Sequence, residues 1–452
     1  MKQKLHFFKD KLGIDGAIAF SSISRLIQGL GGVVSVILVA SLLNEIEQGF
    51  YYTFASILAI QVFFELGLNG IITQYVAHEV SYLKQVGNHY VGNENNLSRL
   101  GSLLHFTVKW FSILSLLVLL LLLIAGYVFF NYFYKSDVVV NWHLPWILLS
   151  IGTALNFMLS PIIAFIEGLG RVRETSKMRM FQQIIGLLVI WSGLALGLKL
   201  YVGGISTLFG FIILLYFILK THLPSLKNLY HQKITCKVSY KTEIFPLQWK
   251  IALSWIGGYF IFQLFNPVLF ATEGPVIAGQ MGITLSILNA ILALSFTWVS
   301  TKTPVFSSYI AQRDFEKLDS LFNLTFIQSS VVNFFALVCL FFAVFCIRHF
   351  EVVVTGKLLG NRFLAYLPML LMILSFFMNH LIAAWAFYLR CHKKEPMLVH
   401  SLFFGVFSSI STLVLGRYYG LLGITSGYFL ISLFATIWAY QIFQKKKKTW
   451  HL

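Results

Sequence analysis

The chain has 452 residues, 58% of them apolar and only 11% charged, and a mean hydropathy of +0.77. That is too little polar surface to cover a water-soluble globule of this size, which excludes a soluble enzyme or cytosolic binding domain. The formal net charge of +17 would suggest nucleic acid in a soluble protein, but a membrane protein gathers Lys and Arg in its cytoplasmic loops for topological reasons, so no nucleic-acid partner is expected.

A bilayer core about 30 Å thick needs about 20 apolar residues at about 1.5 Å each. Runs of that kind fall at residues 14–43, 48–78, 102–133, 144–168, 179–199, 202–220, 248–271, 275–301, 322–347, 364–389, 397–416 and 419–443. They predict an all-α polytopic membrane protein with about twelve transmembrane helices. The first run follows Lys2, Lys4, Lys9 and Lys11, is too long for a signal-peptide core and has no small-residue cleavage site, so it reads as a retained span. An even number of spans puts both termini on one side. Inner segments then hold 27 of the 34 basic residues, among them the Arg171 to Arg179 cluster and the Lys445 to Lys448 tail, while six lie outside and Arg25 is left within the membrane. This asymmetry makes both ends cytoplasmic, with the lysine tail as an anchor. Cys236, Cys339, Cys346 and Cys391 all avoid the external loops, so no disulfide framework is expected.

The basic stretch 221–247 divides the chain into an N-terminal six-helix lobe, 1–220, and a C-terminal six-helix lobe with a basic tail, 248–452. Landmarks recur between them. Gln74-Tyr75-Val76-Ala77-His78-Glu79 closes span two, and Ser308-Tyr309-Ile310-Ala311-Gln312-Arg313 follows span eight at an offset of 234 residues. A coincidence of two short segments is the competing reading. Six spans per repeat preserve orientation, so the lobes are expected to be related by an axis along the membrane normal, around a central cavity.

Signatures of soluble enzymes are missing. There is no P-loop or nucleophile elbow, Gly168-Leu169-Gly170 lies in a turn with no strand before it, and the twelve histidines show no metal-ligand spacing. Neither catalysis nor a cofactor or metal is expected. The informative residues are the ionisable ones at membrane depth, each costly unless paired or hydrated. Counted at about 1.5 Å per residue, Arg25 lies about 16 Å and Glu65 about 20 Å from the inner helix ends, so they could meet. Arg25 shares a helical face with Ser21, Gln28 and Gly32, and Glu65 shares one with Gln61, Asn69 and Thr73.

Three readings stay open for this pair: an ion pair locking two spans, a guanidinium holding an anionic head group, and a carboxylate serving ion or proton coupling. Span seven presents Trp255, Tyr259, Gln263 and Asn266 on one face, with Pro267 next. Aromatic faces stack on sugar rings and pack equally well among lipids and helices. Lys302, at the inner end of span eight, is either a snorkelling anchor or a phosphate contact. Together with Arg25, Gln28, Gln61, Glu65 and Asn69, these residues form the candidate substrate-binding set.

Several segments carry a family resemblance. Gln48-Gly49-Phe50-Tyr51-Tyr52-Thr53-Phe54, Phe63-Phe64-Glu65-Leu66-Gly67-Leu68 and Ala77-His78-Glu79 do so in the first half. Glu167-Gly168-Leu169-Gly170-Arg171-Val172, Gln248-Trp249-Lys250-Ile251-Ala252, and Ala278-Gly279-Gln280-Met281-Gly282 through Thr301-Lys302-Thr303-Pro304 extend it along nearly the whole chain. The chain thereby resembles the O-antigen and capsular polysaccharide flippases of the multidrug, oligosaccharidyl-lipid and polysaccharide export superfamily. The resemblance implies alternating access in a bacterial inner membrane, with a polyprenyl-diphosphate-linked oligosaccharide moved from the cytoplasmic to the outer leaflet. It implies cavity cations for the diphosphate, of which Arg25 is the one deep candidate. Membrane lipid, glycan-assembly proteins and a coupling ion, H+ or Na+, are the partners it suggests.

Two other classes stay open. A cation-coupled drug exporter of the same superfamily would be expected to prefer an acidic, aromatic cavity over one carrying Arg25. A membrane glycan polymerase would need a catalytic external loop, and the first external turn offers only Glu45 and Glu47.

Overall fold

The structure, a computed structural model, describes residues 16–135, 138–246, 248–249, 252, 259, 261–392 and 394–451. Its helices are α1 (Gly16–Leu42), α2 (Glu45–Leu58), α3 (Leu68–Val80), α4 (Glu94–Phe133), α5 (His143–Gly168), α6 (Val172–Ala195) and α7 (Tyr201–Phe217). They continue with α8 (Phe265–Thr272), α9 (Pro275–Ser300), α10 (Thr303–Gln312), α11 (Phe315–His349), α12 (Tyr366–Cys391) and α13 (Leu398–Trp450). The described strands form two antiparallel hairpins, β1 (Leu83–Val86) with β2 (His89–Gly92) and β3 (Val353–Val354) with β4 (Lys357–Leu358), and a short helix, Leu223–Tyr230, and a few helical turns make up the rest.

The protein is an all-α polytopic membrane protein. Nine helical stretches among the described residues are long and apolar enough to cross a bilayer; one, Glu45–Val80, runs through both α2 and α3, and another, α13, is two helices merged across Gly420 (φ 56°, ψ −137°). With α1, and with α8 at the end of the seventh, the predicted spans have helices among the described residues; residues 250–251, 253–258 and 260 of the seventh lie outside them. Several helices outrun their apolar stretches: α4 starts at Glu94 where apolarity begins near 102, and α11 at Phe315 where it begins near 322. Hydropathy marks where lipid begins, whereas a polar turn beyond it can stay helical.

Contacts within the chain gather it into two compact units: Met1–Gly31, Ile60–Asn131 and Asp137–Trp255 in one, Gly32–Ala59, Tyr132–Ser136 and Ile256–Leu452 in the other. In the first, α5 lies against α3 so closely that a Cβ on Gly168 would meet the Thr73 carbonyl and Val76. A cluster of charges ties the 231–246 stretch to α4. Arg99 Nε donates to Glu79 at 2.8 Å and Arg99 Nη2 to Glu243 at 2.6 Å, while Ser98 Oγ receives the amides of Thr235 and Cys236. Glu79 is 2% exposed and also accepts from Asn96.

In the second unit α2 packs on α9. A Cβ on Gly49 would collide with the Pro275 carbonyl, and one on Gly282 with the Tyr52 ring. Small residues at such crossings let helices approach without a hydrophobic drive between them. An Asn44–Glu47 capping box starts α2. The carbonyls left at the end of α1 are met by the 353–362 loop: Thr355 donates to Ser41 O, Lys357 Nζ to Leu42 O and Leu43 O, and Arg362 Nη2 to Leu43 O at 2.9 Å. Two cations at a helix C-terminus also complement its dipole. Arg362 is 2% exposed; burial pulls its guanidinium below the usual arginine range, and Glu45 and Glu47 oppose that.

Replacing Arg362 by Met is expected to cost about 1–3 kcal/mol, the penalty of a stranded buried acceptor, with Lys357→Met costing less because that side chain is less buried. Thermal unfolding of the purified variants measures both. The Arg99 guanidinium holds the Glu243 carboxyl below the ordinary carboxylate range. Its stabilisation is therefore whole above that range and lost as pH falls through the depressed value. The wild-type melting temperature should drop more steeply across that acid interval than that of Glu243→Gln.

Candidate functional site

The second span does not cross as one helix. After α2 the backbone tightens into a 3-10 turn over Ala59–Gln61 and a single α-turn over Val62–Glu65, then passes through two left-handed residues, Leu66 (φ 46°) and Gly67 (φ 73°), before α3 begins. Glycine takes that conformation freely, whereas leucine does so at a cost, so the break is held by its surroundings. Irregular backbone at membrane depth is tolerated where it is covered by protein or lines a cavity. Gly67 is buried and Leu66 half-buried, so protein covers the break itself.

Gln61 and Glu65 line a cavity of about 260 Å3 in the first unit, together with Asn156 and Ser160 from α5 and Arg179 and Gln182 from α6. Asn69 Nδ2 donates to Glu65 Oε1 at 2.8 Å and to Ser160 Oγ at 2.7 Å. Asn156 Nδ2 donates to the Gly152 and Thr207 carbonyls, and its Oδ1 accepts from Gln182 Nε2 at 2.9 Å. Arg179 is turned to Glu167, donating at 2.9 Å. No protein donor among the described residues reaches the buried Asn69 Oδ1. A half-buried carboxylate beside amide and hydroxyl oxygens is a set of acceptors, suited to a proton or small cation, with one guanidinium at its edge.

The other predicted residues are dispersed. The side chain of Arg25 and all of Trp255 lie outside the described residues, so the meeting of Arg25 with Glu65 falls there too. Gln28 is exposed on α1 and Tyr259 is buried. Gln263 lies two residues before α8, its backbone N–H bonded to the Tyr259 carbonyl. Asn266 is 5% exposed and donates its Nδ2 to Ser56 Oγ at 3.1 Å, which ties α8 to α2. Lys302 is exposed in the turn between α9 and α10, on a groove of about 410 Å3 shared with Thr297, Trp298, Thr301, Thr325 and Gln328. Among the described residues no three His, Cys, Asp or Glu side chains could share a metal ion.

Sequence reasoning missed Asn156, Ser160, Arg179 and Gln182. The first two are four apart on an otherwise apolar span, a polar stripe of the kind read in spans one and two. Arg179 counted only as a loop cation at a helix end.

The sequence matches no protein-family model, and no curated protein matches it. Solved structures do. A multidrug resistance transporter of the MATE family, MOP superfamily, in its inward-facing conformation superimposes with a TM-score of 0.67 over 96% of this chain and 99% of that one, at 14% identity. The lipid II flippase MurJ in an inward closed conformation gives 0.59 over 95% and 89%, at 13% identity. The MATE multidrug transporter DinF-BH, solved as a complex with a bound compound, gives 0.60 over 97% and 96%, also at 13%. The chain therefore has the fold of the MOP-superfamily transporters and flippases.

Asn69 joins the break to α5 through both of its bonds. Asn69→Leu should lower the melting temperature by the equivalent of about 1–3 kcal/mol, because Glu65 and Ser160 lose their shared donor, and Ser160→Ala should cost less. Parallel thermal unfolding of the two variants in detergent checks the order.

Proposed function

We propose that this chain is a flippase that carries a polyprenyl-diphosphate-linked oligosaccharide from the cytoplasmic to the outer leaflet of a bacterial inner membrane by alternating access. Two six-helix lobes, 1–220 and 248–452, joined by the basic 221–247 linker, belong to the same proposal, as do cytoplasmic termini. The observation that carries it is Arg25: a guanidinium-bearing residue well inside the first membrane helix of a fold shared with a lipid flippase. An anionic diphosphate is attracted to such a group, and a cationic drug is repelled by it. In this reading Arg25 and Lys302 meet the diphosphate. Gln28, Gln61, Glu65, Asn69 and Gln263 offer polar contacts and Trp255 stacks on the glycan, while Tyr259 and Asn266, buried here, stand behind them.

A cation-coupled small-molecule exporter is the second reading. What favours it is the acceptor-rich cavity around Glu65, Asn69 and Ser160 and the likeness to two MATE transporters.

The test is leaflet-resolved labelling of the lipid-linked oligosaccharide in cells lacking the gene, complemented with variants. Loss of the gene should trap the lipid on the cytoplasmic leaflet; an unchanged distribution in a strain without a redundant flippase sinks the flippase reading, and a gain in drug susceptibility without it favours the exporter. Arg25→Ala should be as abundant as wild type and inactive, and Arg25→Lys weakened, because a point charge replaces a bidentate fork. Adding Glu65→Gln to Arg25→Ala should restore nothing. Recovery of abundance and transport in that double variant would instead mark a static ion pair.

A further inference from the structure

The second unit buries a polar cluster that the transport reading leaves unused. Ser295 in α9, Ser329 and Asn333 in α11 and His380 in α12 are each 0 or 1% exposed. His380 lies about 21 Å along α12 from Tyr366 and about 16 Å from Cys391, near the middle of a bilayer-length helix.

The hydrogen bonds determine its tautomer. Ser329 Oγ lies 3.0 Å from the Ser295 carbonyl, which can only accept, so the one hydroxyl proton of Ser329 goes there. His380 Nε2, at 2.9 Å from the same Oγ, must then be the donor. That leaves the lone pair of the neutral imidazole on Nδ1, and no protein group among the described residues reaches it. Asn333 Nδ2 donates to Ser295 Oγ at 3.2 Å, and its Oδ1 is likewise buried without a protein donor. The cluster has two acceptors facing no donor. What it lacks is a proton.

Nothing nearby neutralises or duplicates that chemistry. Helices α9, α10, α11 and α13 pack against α12. Helices α9 and α10 contain no Asp, Glu, Lys or Arg, and the charged residues of the others, Glu316, Lys317, Asp319, Arg348, Arg390 and Arg417 with the Lys445 to Lys448 tail, lie toward helix ends or the Gly420 break. The remaining titratable side chains on these elements are tyrosines, cysteines, His349 at the end of α11 and His400. The last is bonded to the Ala435 carbonyl at 2.8 Å, and Tyr428 accepts from Asn379.

We infer that His380 is a proton-binding group of the second unit, taking a proton from the aqueous phase onto Nδ1 and returning it there. The only bond made or broken is N–H. The imidazolium keeps its Nε2 bond to Ser329, and Asn333 Oδ1 is the other unmet acceptor of the same cluster. Any use of this proton to drive transport rests on the transporter reading above; the binding itself does not.

Hydrogen–deuterium exchange of the purified full-length protein in detergent, corrected for intrinsic rates between pH 3.5 and 8, tests it without any substrate. Peptides covering 291–299, 329–337 and 376–384 should change protection with pH around a single midpoint. His380→Gln, whose amide can still donate to Ser329, should abolish that midpoint, and His400→Gln should keep it. Asn333→Leu, which removes the second acceptor, should move it by about one pH unit, the scale of a hydrogen bond to a charged group. No pH response in the wild type, a wild-type midpoint in His380→Gln, or a response to Na+ at fixed pH in place of one to protons each overturns the inference. Should His380→Gln not yield monodisperse protein, an unmoved midpoint in Asn333→Leu overturns it as well.

Discussion

Lipid supplies no hydrogen bonds, so every backbone or side-chain polar atom placed at membrane depth must find its partner in the protein. The chain meets this demand by local means wherever helices run unbroken. The revealing places are those where they stop. The end of α1 is closed by Thr355, Lys357 and Arg362, side chains more than 300 residues away in sequence that converge on three consecutive carbonyls. The next helix opens on its own capping box, with Asn44 and Glu47 exchanging bonds. Between them the chain turns in two residues, Leu43 and Asn44.

The same demand explains why the interruption of the second span carries chemistry. A helix that ends at Glu65 and restarts at Leu68 exposes backbone, and polar side chains gather about it: Gln61, Glu65 and Asn69 from the span itself, Asn156 and Ser160 from α5, Gln182 from α6. In the second unit α9 gives way to α10 around Thr301, and Ser295 of the cluster around His380 lies in the last turns of α9. Each unit thus buries polar groups beside an interrupted helix, with a carboxylate in one and an imidazole in the other. Residues of those two kinds can exchange protons at membrane depth while the surrounding helices stay intact.

Packing sets the remaining limits. The motifs that carry the family resemblance, around Gly49, Gly168, Gly279 and Gly282, are the close approaches of helix on helix, where a Cβ has no room. They speak for the fold and say little about cargo.

Much was legible from composition and spacing alone. Apolar runs of bilayer length determined the helical class and the span count, because a chain in lipid has few other ways to satisfy its backbone. Glu65 stood out for the same reason, as a charge where charges are expensive. What the sequence could not show was contact. Apolar length does not report that a span is broken at Leu66 and Gly67, since both halves are equally hydrophobic. Arg362 read as a loop cation, yet it is 2% exposed, because the carbonyls it serves belong to a distant helix end. His380 read as one of twelve unremarkable histidines. Only the crossing of α9, α11 and α12 brings Ser295, Ser329 and Asn333 to it, and only that meeting decides which nitrogen carries its hydrogen.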